Sequence, residues 1–295
     1  IKFDLLGLKN LSIVEEILSA IDENIDIYKI PLDDVKVFKM LSNGDSSGIF
    51  QLESEGMRST LRKVRPANLE ELATVIALYR PGPVVFIDQY ILNKKNPEKI
   101  VYPHPDLKPL LEETYGIMIY QEQIMKIAVS LAGFTLTKAD LLRSAVSKKS
   151  SEKLESLKND FIQGCINNNY DRKVAENIYR NIYRFADYGF NKSHAIGYGF
   201  LAYIMSFLKV RYPLDFYCAL LNSKIGSAEN VKYLLECRLK EIKLAAPDIN
   251  ESKEVFYVKN KSIVFPFNQI RNISNLTSRT IIKDRNEKGK YQSFI

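Results

Sequence analysis

The chain has 295 residues, a hydrophobic share of 46% and a formal net charge of +7 at pH 7. This length allows a substantial core and two or more structural units, and no apolar run is long enough to span a membrane. The three cysteines lie far apart and the two histidines accompany no CxxC pair, which argues against a disulfide framework and a structural zinc site. Because no export signal is visible either, we expect a cytoplasmic protein.

Taken in chain order, the sequence predicts mainly helices. Residues 1–6 have the pattern of a short buried strand, and the start at Ile1 without methionine suggests an excised segment. Apolar spacing predicts a helix over 8–24; Pro31-Leu32-Asp33-Asp34 predicts the start of the next and Asn43-Gly44 its end. Further helices are predicted over 53–64, 68–79, 84–94, 121–132, 137–146, 151–168, 172–186, 194–211, 214–223 and 228–245. Two strands, 254–258 and 262–267, and a helix over about 276–286 are predicted to follow.

Asp4 is the first candidate for chemistry, because a carboxylate inside an apolar strand must find a partner. One such partner is a divalent metal, since Mg²⁺ favours carboxylate oxygens; the alternative is a role at the strand end or in a cap. A two-metal phosphoryl-transfer site needs at least two convergent carboxylates. No Asp-x-Asp pair accompanies Asp4, so the acidic set in this chain is incomplete.

Basic residues recur at helical spacing, which is typical of solvated faces and also of phosphate contacts along a nucleic acid. These rows are Arg58, Arg62 and Arg65; Lys148, Lys149 and Lys153; and Arg180 and Arg184. Asp140-Leu141-Leu142-Arg143 precedes Lys148-Lys149, so this helix is predicted to end in a basic patch, which is equally compatible with ordinary charge at a helix end.

Arg80 stands at the end of an apolar helix, directly before the rigid Pro81-Gly82-Pro83 turn. It is expected either to cap the carbonyls of that helix or to bind a phosphate, with the rigid turn fixing its position. Further along, Tyr120-Gln121-Glu122-Gln123 precedes another apolar stripe, and local pattern favours an exposed first helical turn there.

The run from Tyr188 to His194 combines a glycine, two aromatic rings, a lysine, a hydroxyl and a histidine. These two rings and Phe185 just before them are expected to pack in the core, with Asn191 or Ser193 capping the following helix. The alternative is a pocket for a phosphorylated ligand at a helix N-terminus, where Lys192 and His194 would contribute.

Several phrases, taken together and in order, resemble the alpha subunit of bacterial DNA polymerase III, the C-family of replicative polymerases. They are Lys2–Leu8, Ile30–Asp34, Gly48–Ser54 with Gly56-Met57, Ala77–Pro83, Thr114–Gly116 with Tyr120–Gln123, Ala139–Arg143 and Tyr188–His194. The resemblance implies a mainly α fold: the last part of a nucleotidyltransferase-like palm at 1–8, helical fingers at 9–246, and at 247–295 a small α+β start of the clamp-binding and helix-hairpin-helix region.

The same resemblance implies the function and the site residues. Asp4 is implied as one ligand of two Mg²⁺ ions, with the family's other two aspartates upstream, so the isolated segment is expected to be inactive. The residues implied to contact nucleotide or DNA are Arg80, Arg143, Lys148, Lys149, Asn191, Lys192, Ser193 and His194. The implied partners are primer-template DNA, deoxynucleoside triphosphates and, through regions largely outside this chain, the sliding clamp and replisome; the location is the nucleoid, away from membranes.

Two departures from the family pattern stand out. Arg143-Ser144 occupies a place where paired arginines are common, and Ile270-Arg271-Asn272-Ile273-Ser274 lacks the glycines usual in the hairpin. Glycine lets the backbone approach a phosphate closely, so duplex binding by this segment is an open question. Two other functions also remain open at this point: a non-catalytic helical module that binds nucleic acid or protein, and a structural scaffold.

Overall fold

The computed structural model describes residues 7–148, 150–185 and 188–293. The predicted strand at 1–6 lies outside the described residues, and so do Asp4 and Lys149. Within the described ranges the fold is mainly helical, as the sequence predicted, with one small sheet near the end. No helix there is both long and apolar enough to cross a bilayer.

The helices follow the predicted order closely. They are α1 (Lys9–Ala20), α2 (Val35–Ser42), α3 (Glu55–Val64), α4 (Leu69–Leu78), α5 (Ile87–Lys95), α6 (Lys108–Leu111), α7 (Gln121–Ala132), α8 (Leu136–Ser147), α9 (Ser151–Asn167), α10 (Arg172–Phe185), α11 (Lys192–Arg211), α12 (Pro213–Ser223), α13 (Asn230–Leu239) and α14 (Asn275–Lys288).

Side-chain caps explain where several of these helices begin. Asp34 accepts the Lys36 N–H at the start of α2, so the predicted helix start is confirmed. Ser54, Asn68 and Thr135 cap α3, α4 and α8 in the same way. Each cap satisfies a backbone donor that the helix itself leaves unpaired.

The chain divides into two compact units, and the division falls between Tyr203 and Ile204, inside α11. The larger unit comprises Leu32–Ser46 and the described part of 51–203. Its main core lies among α6 to α10, where Ile127, Phe161 and Ile182 are fully buried. Helices α7 and α9 approach closely at Gly164, since a β-carbon there would lie 2.1 Å from the Ala132 carbonyl oxygen.

The smaller unit combines Ser47–Phe50 with the described parts of 1–31 and 204–295. Helix α1 packs on α12 with Ile13, Val14 and Ile17. A three-stranded sheet, β1 (Lys243–Ala245), β2 (Tyr257–Lys259) and β3 (Ser262–Val264), has the order β1-β3-β2. Strand β1 is parallel to β3 with Leu244 opposite Ile263, and β2 is antiparallel to β3 with Val258 opposite Ile263.

Two details of the predicted end of the chain are corrected. The helix predicted over 228–245 ends at Leu239, because Glu241 adopts a left-handed φ of 58° and Lys243–Ala245 then pairs as a parallel strand. The first strand was predicted at 254–258 and lies at Tyr257–Lys259, closer to the hairpin turn. The second was predicted at 262–267 and ends at Val264, because Pro266 interrupts the strand. The hairpin turn itself is confirmed, with Asn260 and Lys261 both at positive φ.

All three cysteines, Cys165, Cys218 and Cys237, are buried free thiols. Burial raises the pKa of the Cys165 thiol to about 11, so it is protonated and unreactive at neutral pH.

Candidate nucleotide-facing site

The run from Tyr188 to His194 lies beside Tyr120 in the larger unit. Tyr120 and Phe190 form an isolated parallel β-bridge: Phe190 donates its N–H to the Ile119 carbonyl at 3.0 Å, and Gln121 donates to the Phe190 carbonyl at 2.8 Å. Gly189 permits this course, because a β-carbon there would lie 2.4 Å from the Phe185 ring. The bridge thus joins two of the polar motifs that the sequence singled out.

Glu122 connects these motifs by charge as well as by position. Its carboxylate accepts the Asn191 Nδ2 donor at 2.8 Å and the Lys192 backbone N–H at 2.9 Å. Asn191 Oδ1 in turn accepts the His194 N–H at 2.8 Å, so Asn191 caps α11 as predicted. A carboxylate at a helix N-terminus is favoured by the unpaired N–H groups and the helix dipole. The anion at this terminus is therefore supplied by the protein itself.

The Lys192 ammonium lies 2.6 Å from Glu113 Oε2 and 5.8 Å from the centre of the Tyr120 ring. Both members of this pair are about one-third exposed, with side-chain exposures of 31% and 36%. Exposure of this degree makes an ion pair weak and exchangeable, because water competes for both charges.

His194 lies between two aromatic rings. Its ring centroid is 5.5 Å from that of Phe190 and 4.0 Å from that of Tyr198, which follows one turn later on α11. Ser193, between Lys192 and His194, is exposed. The aromatic neighbours hold the imidazole over the start of the helix.

Arg80 belongs to the same cluster. Its Nε donates to the Ala77 carbonyl at 2.8 Å, its Nη2 donates to the Tyr188 carbonyl, and its guanidinium carbon lies 4.4 Å from the centre of the Phe190 ring. The capping interpretation is confirmed by the bond to Ala77. Burial lowers the pKa of Arg80 from its usual value, yet the side chain stays charged at any physiological pH.

The expectation that Gln121, Glu122 and Gln123 form an exposed first turn is wrong, since Gln123 is buried and the other two are partly buried. Tyr120 and Gln123 are 2% and 1% exposed. Gln123 Oε1 accepts the N–H groups of Ile119 and Tyr120, and its Nε2 donates to Thr114 Oγ1 at 2.7 Å. With these three hydrogen bonds, the Gln123 side chain has a structural role: it fixes the turn before α7. Sequence reasoning assigned no site role to Glu113 or Glu122, although the polar cluster before an apolar stripe marked the place.

Arg143 and Lys148 lie on or beside α8. Arg143 Nε donates to Asp140 Oδ1 at 2.7 Å, three residues earlier on the same helix, and Lys148 is exposed at the helix end. The structure therefore brings together Arg80, Asn191, Lys192 and His194, whereas Arg143 forms an ion pair with Asp140 within its own helix. Lys149 cannot be placed, because it lies outside the described residues.

No group of three or more His, Cys, Asp or Glu side chains in the described ranges is arranged to hold a metal ion. Asp4, the predicted metal ligand, is outside these ranges.

Residues 10–169 match the family described as "Bacterial DNA polymerase III alpha subunit finger domain". The chain belongs to the bacterial DNA polymerase III alpha subunit family. It is 45% identical to a DNA polymerase III subunit alpha of Staphylococcus epidermidis and 44% identical to one of Staphylococcus aureus, each over all of this chain and 28% of the relative.

The chain therefore spans about 28% of the length of these curated relatives. Residues 241–295 also match the family described as "Helix-hairpin-helix motif". In this region Asn272 adopts a left-handed φ of 70°, a conformation that glycine takes most easily. The turn before α14 is thus formed without a glycine, and Ser274 caps that helix by accepting the Thr277 N–H.

Proposed function

We propose that this chain is the fingers-bearing part of a replicative DNA polymerase that adds deoxynucleotides to a primer 3′-hydroxyl. The observation that carries the proposal is the 45% identity that extends over the whole chain to a DNA polymerase III alpha subunit. In this proposal residues 1–8 end the palm, 9–246 form the fingers, and 247–295 begin the clamp-binding and helix-hairpin-helix region. Primer-template DNA and deoxynucleoside triphosphates are the substrates, and the sliding clamp and replisome are reached mainly through regions outside this chain.

The cluster around Lys192 is proposed to receive the triphosphate. Lys192 is held by a partner, Glu113, that is about one-third exposed, so an incoming phosphate can replace the carboxylate without leaving a buried charge unpaired. Arg80 is fixed by two carbonyls and an aromatic face, which lowers the ordering cost of any contact its remaining donors make. Fixed positive charge of this kind stabilises charge that develops on a transferring phosphoryl group.

The backbone N–H groups at the start of α11 are assigned a different role. The Glu122 carboxylate and the Asn191 side chain already accept the backbone N–H groups of Lys192 and His194, so these N–H groups position the helix. The phosphate is therefore contacted by side chains. Asn191 is accordingly proposed as a positioning residue, while Lys192, His194 and the exposed Ser193 face the nucleotide. Arg143, Lys148 and Lys149 are proposed to contact the template strand, as the family resemblance implies.

The proposal is tested in a full-length alpha subunit that contains this chain. We expect Lys192→Ala and His194→Ala to raise the KM for deoxynucleotides by about tenfold, the loss of one charge-assisted contact. The Kd for primer-template should stay within about twofold, because the lost contact is not to DNA. Lys173→Ala removes an exposed lysine at the start of α10 and is the matched control. An unchanged nucleotide dependence in both site variants would remove the pocket assignment.

A further inference from the structure

A second basic cleft lies in the larger unit, where α3 and α5 end. It has a volume of about 510 Å³ and is lined by Arg62, Lys63, Arg65, Asp88, Ile91 and Lys95. Four cations thus face one carboxylate around a shared opening. None of these residues belongs to the site proposed above.

Within the described residues, most of the cationic side chains of this cleft form no ion pair or hydrogen bond. Arg62 donates to Glu55 Oε1 at 2.8 Å in an exposed pair. Over the described part of the chain, no hydrogen bond or ion pair engages the side chains of Lys63, Arg65 or Lys95. An unneutralised group of like charges repels itself in the folded state, and an anion relieves that repulsion.

Arg65 adopts a left-handed backbone conformation, which is unfavourable for a residue with a β-carbon. It follows α3 with φ 51° and ψ 68°, in the left-handed region that glycine usually fills at helix ends. The conformation is held by Lys94 Nζ, which donates to the Arg65 carbonyl at 2.8 Å and pairs with the buried Glu71 at 2.7 Å. The fold would accept glycine here at least as well, so the guanidinium is not explained by the turn.

The helix dipole accounts for only part of the pattern. Lysine and arginine are favoured in the last turn of any helix, and Lys39 illustrates this at the end of α2. That effect places Lys63 and Lys95 on their helices. It does not account for an arginine beyond the end of α3, nor for two helix ends that share one cleft.

A cleft of equal volume between α9 and α10 provides a contrast. There Glu155 and Glu176 face Lys158, Arg180 and Arg184, and Lys158 pairs with Glu155 at 2.9 Å. That cleft has three cations and two carboxylates, whereas the cleft at the ends of α3 and α5 has four cations and one carboxylate.

We propose that the cleft of Arg62, Lys63, Arg65 and Lys95 binds the phosphodiester backbone of DNA. Helix C-termini present carbonyls, so a phosphate here is held by long side chains alone, which suits sequence-independent contacts along a strand. The spread of four cations over two helix ends matches successive phosphates better than one compact anion. This inference goes beyond the nucleotide site and does not rest on its assignment.

The test compares a full-length alpha subunit that contains this chain with its triple variant Lys63→Ala/Arg65→Gly/Lys95→Ala. Binding of a fluorescent oligo-dT and of a duplex of equal length is measured by anisotropy at several salt concentrations. We expect a loss of affinity of at least about tenfold at low salt, and a slope of log K against log salt that is shallower by about 2 for the single strand. Arg65→Gly alone should weaken binding without lowering the unfolding temperature, because glycine suits the left-handed turn. Lys39→Ala, a last-turn lysine outside the cleft, should bind as the wild type does.

The two DNA probes distinguish the form of the ligand, and a loss with either one supports the proposal. A folded triple variant with wild-type affinity and salt slope for both probes would overturn it. So would a loss confined to a deoxynucleoside triphosphate probe, since that would make the cleft a nucleotide pocket. Lys173→Ala, outside both sites, is expected to leave the salt slope unchanged. The nucleotide assignment is judged by the KM for deoxynucleotides and the cleft by the DNA salt slope, so a failure of either one is seen separately.

Discussion

The carboxylate of Glu122, in the first turn of α7, accepts the backbone N–H of Lys192, the first residue of α11, at 2.9 Å. The two residues are separated by 70 positions in the chain. Glu122 also accepts from the Asn191 side chain, which itself caps α11 through His194. A single side chain thus sets where α11 begins and keeps the aromatic and basic residues of the motif together.

Removal of this carboxylate is expected to weaken the fold locally. Glu122→Ala should lower the free energy of unfolding by about 1–2 kcal/mol, the cost of a lost cap with charge-assisted bonds. Glu122→Gln should cost less, because its amide oxygen still accepts one of the two bonds. Urea unfolding followed by circular dichroism measures both. Glu152→Ala, in the exposed first turn of α9, is the control and should change stability by less than about 0.5 kcal/mol.

Asp4→Asn is the corresponding test of the metal assignment. If Asp4 is one carboxylate ligand of a two-Mg²⁺ site, the amide should nearly abolish nucleotide incorporation by a full-length subunit that contains this chain. Primer-template affinity should remain close to normal, because binding of the DNA backbone does not use this side chain. Single-turnover incorporation and DNA binding are measured side by side. Near-normal turnover by Asp4→Asn would show that Asp4 is not a metal ligand.

Local patterns predicted the helices well because each one is specified by residues close in sequence. The apolar spacing of α1 and the Asp34 cap of α2 are examples, since both depend on contacts within a few positions. The cap of α11 was predicted at Asn191 or Ser193 for the same reason, and it is Asn191. The strand β1 was missed because it exists only through pairing with β3, and a parallel partner leaves no mark on its own three residues.

The assembly of the site was not predictable from local pattern. The bridge between Tyr120 and Phe190 and the bonds of Glu122 join distant segments. Gln123 is buried because Thr114 and two backbone groups satisfy it, and its polarity alone indicated exposure. The family resemblance supplied the grouping of these motifs, and the structure supplied the contacts that explain it.

The buried pair of Lys94 and Glu71 offers a prediction about stability. The Glu71 side chain is 6% exposed, and its carboxylate accepts hydrogen bonds from Lys94 Nζ at 2.7 Å and from the Tyr115 hydroxyl at 2.6 Å. Lys94→Met should lower the free energy of unfolding by about 3 kcal/mol, because it leaves a buried carboxylate without its cation.

The double variant Lys94→Met/Glu71→Gln should recover part of that loss, since it removes the unpaired charge as well. A double-mutant cycle from urea unfolding measures the coupling. Lys158→Met breaks an exposed pair with Glu155 and should cost no more than about 0.5 kcal/mol. Equal losses for Lys94→Met and Lys158→Met would contradict the role assigned to the buried pair.

Glu236 in the smaller unit makes the fold sensitive to acid. Burial alone would raise its pKa, but the charge of Lys209 and a hydrogen bond from the Tyr217 hydroxyl outweigh burial and hold the pKa below its usual 4.5. Lys209 is 3% exposed at its side chain and lies 3.0 Å from Glu236 Oε1. The carboxylate is thus favoured by the folded state.

A group whose pKa is lower in the folded state stabilises the fold above its unfolded pKa, and this contribution is lost as the pH falls through the folded value. Wild type should therefore lose stability below about pH 4.5, whereas Glu236→Gln should start about 2 kcal/mol lower at pH 7 and change less on acidification. Urea midpoints at pH 7 and about pH 3.5 measure the difference. Glu229→Gln changes an exposed carboxylate paired with Lys224 and should keep the wild-type profile. If Glu236→Gln lost as much stability on acidification as wild type does, the acid sensitivity would have to come from other carboxylates.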